Sequence, residues 1–300
     1  MEMDLKTVKD VNRVFYEVEA GEYDIRHPEI MSGDRSWWES FGKILIKTLN
    51  GRKPLTVLDI GSGTGFVVET LQNNLSGDRI ICYDLSIEML KCSKEKFGMK
   101  DINYLVGDAE SIPFGDSSFD AVTFNSVLHH VPDYHVFLKE VDRVLKDGGC
   151  LAFAHEPNKS FFNSIFLRIV ASVYKLAGFG MEITDSMQEK INDKLRDNGV
   201  IEEGLSKEEI IKMVDFHSPV EQSSIGIDKD KGFVPSEMIS NNLASFEILE
   251  LREYTTYFHR PFLERNVWIR KLIEGGVRLF GGRGNLFSLI ARKKGINENN

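Results

Sequence analysis

Two spacings of apolar residues alternate along this chain. Leu55–Ile60, Arg79–Asp84, Ile102–Val106, Ser118–Asn125 and Cys150–His155 are short apolar runs of strand length. Between them lie stretches with apolar residues every third or fourth position. Phe66–Leu71 is one, and a run opening at Ile87 behind Ser86 is another, with the serine placed as an N-cap. In Tyr134–Leu145, Val136, Phe137, Val141, Val144 and Leu145 recur at helical spacing, and Lys146-Asp147-Gly148-Gly149 then predicts a stop and a turn. Strands alternating with helices predict an α/β fold built on a parallel sheet. Leu5–Tyr16 and Trp37–Leu49 predict two amphipathic helices before the first strand. Pro235–Leu243 predicts a late helix, and Phe246–Phe258 and Leu286–Arg292 predict the last two strands. The expected fold is a doubly wound, seven-stranded, mostly parallel sheet.

Chemistry enters at the end of the first strand, where Val57-Leu58-Asp59-Ile60 runs into Gly61-Ser62-Gly63-Thr64-Gly65. A glycine turn between a strand and a helix lets a ligand approach the backbone closely. A dinucleotide dehydrogenase prefers G-x-G-x-x-G, which presents the helix start to a pyrophosphate. Here the spacing is G-x-G-x-G with an acid, Asp59, beside it, and an acid suits a cationic ligand better than a pyrophosphate. Asp84 closes the second strand about 20 residues further on, where a carboxylate can accept both hydroxyls of a ribose. Asn125 and Ser126 end the fourth strand, at the sheet edge where open α/β sheets bind ligands.

The glycine run resembles motif I of the class I S-adenosylmethionine-dependent methyltransferases. Val106-Gly107-Asp108-Ala109 resembles that family's G-D-A element, Ser118-Phe119-Asp120 its F-D signature, and Val127-Leu128-His129-His130-Val131 the L-H-H segment of ubiquinone/menaquinone-type and related small-molecule methyltransferases. These matches cover roughly residues 50 to 157. The resemblance implies S-adenosylmethionine as cofactor, held by Asp59, Gly61, Ser62, Gly63, Gly65, Asp84, Leu85, Asp108, Ala109, Asn125 and Ser126. It places Asp84 on the ribose, Leu85 near the adenine, and Asp108 with the next amide at the adenine edge. Ala20-Gly21-Glu22-Tyr23-Asp24 resembles the family's A-x-x-Y-D element, in which the N-terminal segment folds over the cofactor. Tyr23 there either meets the methionine end or packs the segment onto the core.

Methyl transfer from a sulfonium needs alignment and exclusion of water, and a base only when the acceptor must lose a proton. His129, His130 and Glu156 are the candidate bases, with Tyr23 as an orienter. Where an exocyclic-amine methylase would carry Asn/Asp-Pro-Pro-Tyr/Phe, this chain has Asn125-Ser126-Val127-Leu128. The expected acceptor is a small hydrophobic or lipid-like molecule methylated at oxygen or carbon. The rival readings are a relative with different chemistry on the same cofactor and a non-catalytic cofactor-binding scaffold.

The boundaries expected are an N-terminal helical cover at 1–50, a cofactor-binding core at 51–157, a helical lid at 158–234 and a C-terminal completion at 235–294. The last contains a basic, apolar helical insertion at 261–284. Apolar faces with basic partners in 159–180 and 261–284 suit either packed lid helices or peripheral contact with an anionic membrane. The charge-rich stretch 182–209 predicts a solvated helical pair, and His217-Ser218-Pro219 a loop from which His217 either reaches the site or lies on the surface.

Composition narrows the partners. The net charge is −9, yet ten Lys/Arg against four Glu in 251–300 give that tail +6 and the rest −15. Overall acidity and the lack of a basic-aromatic patch disfavour nucleic acid. The three cysteines have no metal spacing, so no metal site is expected and a reducing compartment is. The acidic start without an apolar signal region predicts a cytoplasmic protein, peripheral to the membrane at most.

Overall fold

The computed structural model describes residues 4–27, 35–49, 53–98 except 73 and 76, 101–159, 183–218, 231–254 and 284–295, with isolated positions elsewhere. The apolar helices expected at 159–180 and 261–284 fall almost wholly outside these residues.

Seven strands form one sheet in the order β3-β2-β1-β4-β5-β7-β6. They are β1 Thr56–Ile60, β2 Arg79–Asp84, β3 Ile102–Val106, β4 Phe119–Asn125, β5 Leu145–Pro157, β6 Phe246–Tyr254 and β7 Leu286–Lys293. β1 pairs in parallel with both β2 and β4, and β7 runs antiparallel between β5 and β6. One boundary differs from expectation. β5 begins at Leu145, which lies opposite Phe119, and a register shift follows before Cys150 pairs with Ala121. The predicted turn at 146–149 is therefore absorbed into the strand.

Residue alternation along the strands makes two apolar faces. Leu58, Val122, Phe124, Leu151 and Phe153 face Phe137, Leu138 and Val141 of the helix Tyr134–Val144. Val57, Ile80, Cys82, Ala121 and Ala152 face Trp38, Phe41 and Leu45 of the helix Arg35–Thr48, together with Phe66, Val67 and Leu71 of Phe66–Leu71. Every β4 residue but Asn125 is buried, as expected of a central strand covered on both sides.

We number the helices α1 Leu5–Glu19, α2 Tyr23–Arg26, α3 Arg35–Thr48, α4 Phe66–Leu71, α5 Ile87–Phe97, α6 Tyr134–Val144, α7 Asp185–Asp197, α8 Lys207–Val214 and α9 Pro235–Asn242. A 3₁₀ turn spans Leu128–His130. α1 starts where the Asp4 side chain accepts from the Lys6 and Thr7 amides. α8 starts with a reciprocal capping box between Ser206 and Glu209.

The charge-rich stretch expected to be solvated forms α7 and α8, and its apolar residues are not free. Ile191, Leu195, Ile210 and Val214 pack with Val8, Val11 and Phe15 of α1 in a third core cluster. Both helices are amphipathic, so charge content hid a buried stripe. α1, α7 and α8 thereby form one helical unit. Among the described residues, no helix is long and apolar enough to cross a membrane.

Candidate active site

The strand order reverses between β1 and β4, and a cavity opens there at the carboxyl ends of the strands. Ile60, Gly61 and Gly63 follow β1, Asp84 and Leu85 end β2, Gly107 to Glu110 follow β3, and Asn125 to Val127 end β4. His130 to Pro132 supply another wall. Lys9, Asn12 and Tyr16 of α1, with Tyr23 of α2, close the cavity from above.

Two glycines make this wall possible. Gly61 has a φ of 58°, and a Cβ there would lie 2.4 Å from Val127 Cγ2. A Cβ on Gly107 would lie 2.1 Å from the Tyr83 hydroxyl oxygen. Tyr83 in turn donates to the Asp108 carbonyl at 3.0 Å, which pins the loop after β3.

The glycine loop is poorly suited to an anion. The Gly63 amide donates to Asp84 Oδ2 at 2.8 Å, the Ser62 amide to the Tyr83 carbonyl at 3.2 Å and the Gly65 amide to the Ser62 carbonyl at 2.9 Å. Three N–H groups that could cradle a pyrophosphate are thus already occupied. A carboxylate stands in their place. Asp84 Oδ1 accepts from the Ser86 amide at 2.8 Å, and Asp84 has no ion pair among the described residues. Burial raises its pKa to about 6, against the lowering effect of the Ser86, Gly63 and Leu85 amides. Each oxygen keeps a lone pair, so the group can accept from a vicinal diol. The donor set of this wall fits a ribose and a cationic sulfonium.

The far end of the cavity carries Asp108 and Glu110, and both are paired with Lys9 Nζ, at 2.7 and 2.6 Å. At the end of β4, Asn125 Oδ1 accepts from Trp38 Nε1 at 3.0 Å, so α3 fixes that side chain. Ser126 follows with a φ of 59°, unusual for a residue other than glycine. The segment carrying Tyr23 is tied to the glycine loop. Asp24 accepts from Thr64 Oγ1 at 2.6 Å and pairs with Lys96.

Several residues expected at the site lie behind the wall instead. Asp59 is buried on the strand face opposite Ile60; Thr123 Oγ1 donates to it at 2.8 Å, and its Oδ2 has no partner. Burial raises its pKa to about 7, so its influence on the cavity is that of a nearby buried acid and not of a contact. Ser62 and Gly65 shape the turn without lining the cavity. His129 and Glu156 also stand back from it. Glu156 is fully buried and accepts from the Val127, Leu128 and His129 amides at 2.8, 2.9 and 3.2 Å, and it meets His129 Nδ1 at 2.9 Å. Its carboxyl group thus ties the turn after β4 together from behind the cavity wall. His217 is half-buried: its Nε2 donates to the Pro132 carbonyl at 3.0 Å, and its ring meets Tyr134 edge-on.

The structure also brings in residues that the sequence reading passed over. Lys9, Asn12 and Tyr16 lie three and four apart on α1, so a polar stripe on an amphipathic helix was the available signal. Trp38 gave no local signal, because its partner is 87 residues away, and the A-x-x-Y-D element did not show that its Asp24 reaches Thr64, 40 residues on.

A sheet of this order with one antiparallel strand, an acid-facing glycine turn and a ribose-competent carboxylate define the class I S-adenosylmethionine-dependent methyltransferase fold. Residues 58–153 match the family model described as Methyltransferase domain, and the protein carries a domain of that family, with S-adenosylmethionine as its cofactor. The chain is 37% identical over 143 residues to the demethylmenaquinone methyltransferase of Staphylococcus aureus strain MRSA252, covering 47% of this chain and 58% of that one. It is 33% identical over 130 residues to the ubiquinone/menaquinone biosynthesis C-methyltransferase UbiE of Desulfotalea psychrophila, covering 43% and 52%. The matched region thus spans little more than half the length of these relatives.

Among solved structures, a chain from the Haloferax volcanii complex with the Trm112 methyltransferase activator aligns with a TM-score of 0.52 at 18% identity, covering 92% of this chain and 97% of that one. An S-adenosylmethionine dependent methyltransferase from Mesorhizobium loti aligns at 0.50 and 15%, covering 88% and 100%. At these identities the likeness is one of fold.

Proposed function

We propose that this protein transfers the methyl group of S-adenosylmethionine to a small, hydrophobic acceptor at oxygen or carbon. The observation that carries the reading is the Asp84 wall, a carboxylate in place of free loop amides at the switch point of the sheet. Bound S-adenosylmethionine supplies a methyl group already activated on positively charged sulfur. The chain's own residues hold, orient and exclude water.

In this reading Asp84 accepts the ribose hydroxyls, and Leu85 and Ala109 flank the adenine. Asp108, held by Lys9, faces the adenine edge. Gly61 and Gly63 leave room for the methionine chain, and Asn125 and Ser126 close the wall beside it. Tyr23 of α2 and Lys9, Asn12 and Tyr16 of α1 cover the cavity, with Asp24 as the tether. α1 acts as the roof together with α7 and α8, on which it packs. The quinone-type acceptors named for the relatives support a hydrophobic acceptor here.

The test is release of S-adenosylhomocysteine with a panel of phenols, hydroquinones, fatty acids and nucleosides. Acceptor-dependent release with the apolar hydroxyl compounds is expected. Release with nucleosides alone would contradict the acceptor class.

A further inference from the structure

His130 lines the cavity, and both of its ring nitrogens have partners. Nδ1 lies 2.6 Å from the Val214 carbonyl oxygen. A carbonyl only accepts, so Nδ1 carries the hydrogen. Nε2 is then the lone-pair nitrogen, and the Tyr16 hydroxyl, 2.9 Å away, must donate to it. This fixes the polarity of the pair. It also leaves the Tyr16 oxygen with free lone pairs in the cavity wall. The Tyr16 ring is held edge-on by Phe15, Tyr23 and the His130 ring itself.

We propose that Tyr16 takes a proton from the acceptor and passes its own to His130, and that the acceptor therefore carries an ionisable hydroxyl on, or conjugated with, the atom methylated. The proposal rests on the methyl-transfer reading. In the step, the acceptor oxygen or conjugated carbon bonds to the methyl carbon, and the carbon–sulfur pair returns to sulfur. The acceptor's O–H proton moves to Tyr16 Oη while the Tyr16 proton moves to His130 Nε2. For carbon attack, the proton on the methylated ring carbon then moves to the carbonyl oxygen formed in the step, a tautomerisation that restores the aromatic hydroxyl and needs no second base. A positive charge enters on sulfur and ends on the imidazole, so the buried cavity keeps its net charge.

The surroundings support a relay that acts in concert. Burial holds the Tyr16 hydroxyl well above its ordinary pKa, so a free phenolate does not accumulate. Burial and the neighbouring His129 hold His130 neutral, at a pKa of about 3. The arriving proton meets compensation: the Val214 carbonyl at 2.6 Å and Asp215 Oδ1 at 3.8 Å both face Nδ1. Ligand atoms of His129, His130 and Asp215 also lie within 4.8 Å of one another, as a metal site would require. A cation there would have to displace either Val214 or Tyr16 from His130, which is why the relay is the reading favoured here.

The test compares wild type, Tyr16→Phe and His130→Gln on phenols of graded acidity. Calorimetry with S-adenosylmethionine is run on the same samples. Both variants are expected to bind the cofactor as wild type does. Both are expected to lose about 100-fold in kcat on weakly acidic phenols, with KM little changed. The loss should shrink towards nothing for nitrophenols already ionised at the assay pH, because no proton then needs to move. An equal loss on every acceptor, no loss at all, or turnover of no hydroxyl acceptor by cofactor-bound wild type would overturn the relay. So would activity abolished by a chelator and restored by a divalent metal. Failure to bind the cofactor would instead remove the methyl-transfer reading beneath it.

Discussion

Replacing Asp84 with alanine should cost the protein about 100-fold or more in affinity for S-adenosylmethionine. Hydrogen bonds to a charged acceptor contribute about 1.5–3 kcal/mol each, and two ribose hydroxyls share this carboxylate in the proposed complex. The lower bound of about 3 kcal/mol corresponds to roughly 100-fold. The substitution also strips the Gly63 and Ser86 amides of their acceptor, at 2.8 Å in each case, which loosens the loop as well. Asp84→Asn keeps one carbonyl oxygen and should fall between the two. Affinity should also depend on pH. Burial places the Asp84 pKa at about 6, and the ionised form is the one with acceptor capacity left for the ribose. Affinity is therefore complete above that value and declines as the pH falls through it. Calorimetric titration of the three proteins over that range checks all of this. Undiminished affinity in Asp84→Ala would remove the ribose assignment.

Glu156→Ala should be the most damaging single substitution for the fold among the residues of the site. The side chain is fully buried, and its carboxylate serves three backbone amides and the His129 ring. Removing it leaves those donors buried without an acceptor, at a cost of about 1–3 kcal/mol for each one left unsatisfied. Glu156→Gln retains one oxygen for the Val127 and Leu128 amides and should cost much less. The pH dependence has a definite sign. Burial raises the Glu156 pKa from 4.5 to about 7, so the folded state prefers the protonated acid. Its contribution is fully present below about 4.5 and is lost as the pH rises through about 7. Glu156→Gln should accordingly gain on wild type across that interval. Chemical denaturation of the three proteins at several pH values measures it, and a Glu156→Ala protein as stable as wild type would refute the supporting role.

The core of this fold was legible because its signals are local. A glycine turn after an apolar run, an acid at the end of the next strand and helices of plain periodicity lie within windows of a dozen residues. Those signals anticipated the strands between Thr56 and Pro157, whose carboxyl ends carry Gly61, Asp84, Asp108 and Asn125 along the cavity. What escaped was set by contacts across long stretches of chain. Tyr16 and His130 are 114 residues apart, and Asn12 meets the Val214 carbonyl across 202.

The partners of Glu156 were hidden for a related reason. It sits at the end of a strand beside the site, as a base would, and only the folded turn shows that Val127, Leu128 and His129 occupy it. The place of Asp59 behind the wall follows from strand alternation. Ile60 takes the cavity side, and its neighbour necessarily takes the other. The α7–α8 pair was misread because exposed charges outnumber the buried stripe of Ile191, Leu195, Ile210 and Val214.

The central claim is that the glycine turn with Asp84 holds a sulfonium nucleoside and not a dinucleotide. It is tested most directly by calorimetric titration of the purified protein with S-adenosylmethionine, S-adenosylhomocysteine and NAD. Micromolar binding of both sulfur ligands with no heat from NAD is the expected result. Binding of NAD, with neither sulfur ligand bound, would contradict it.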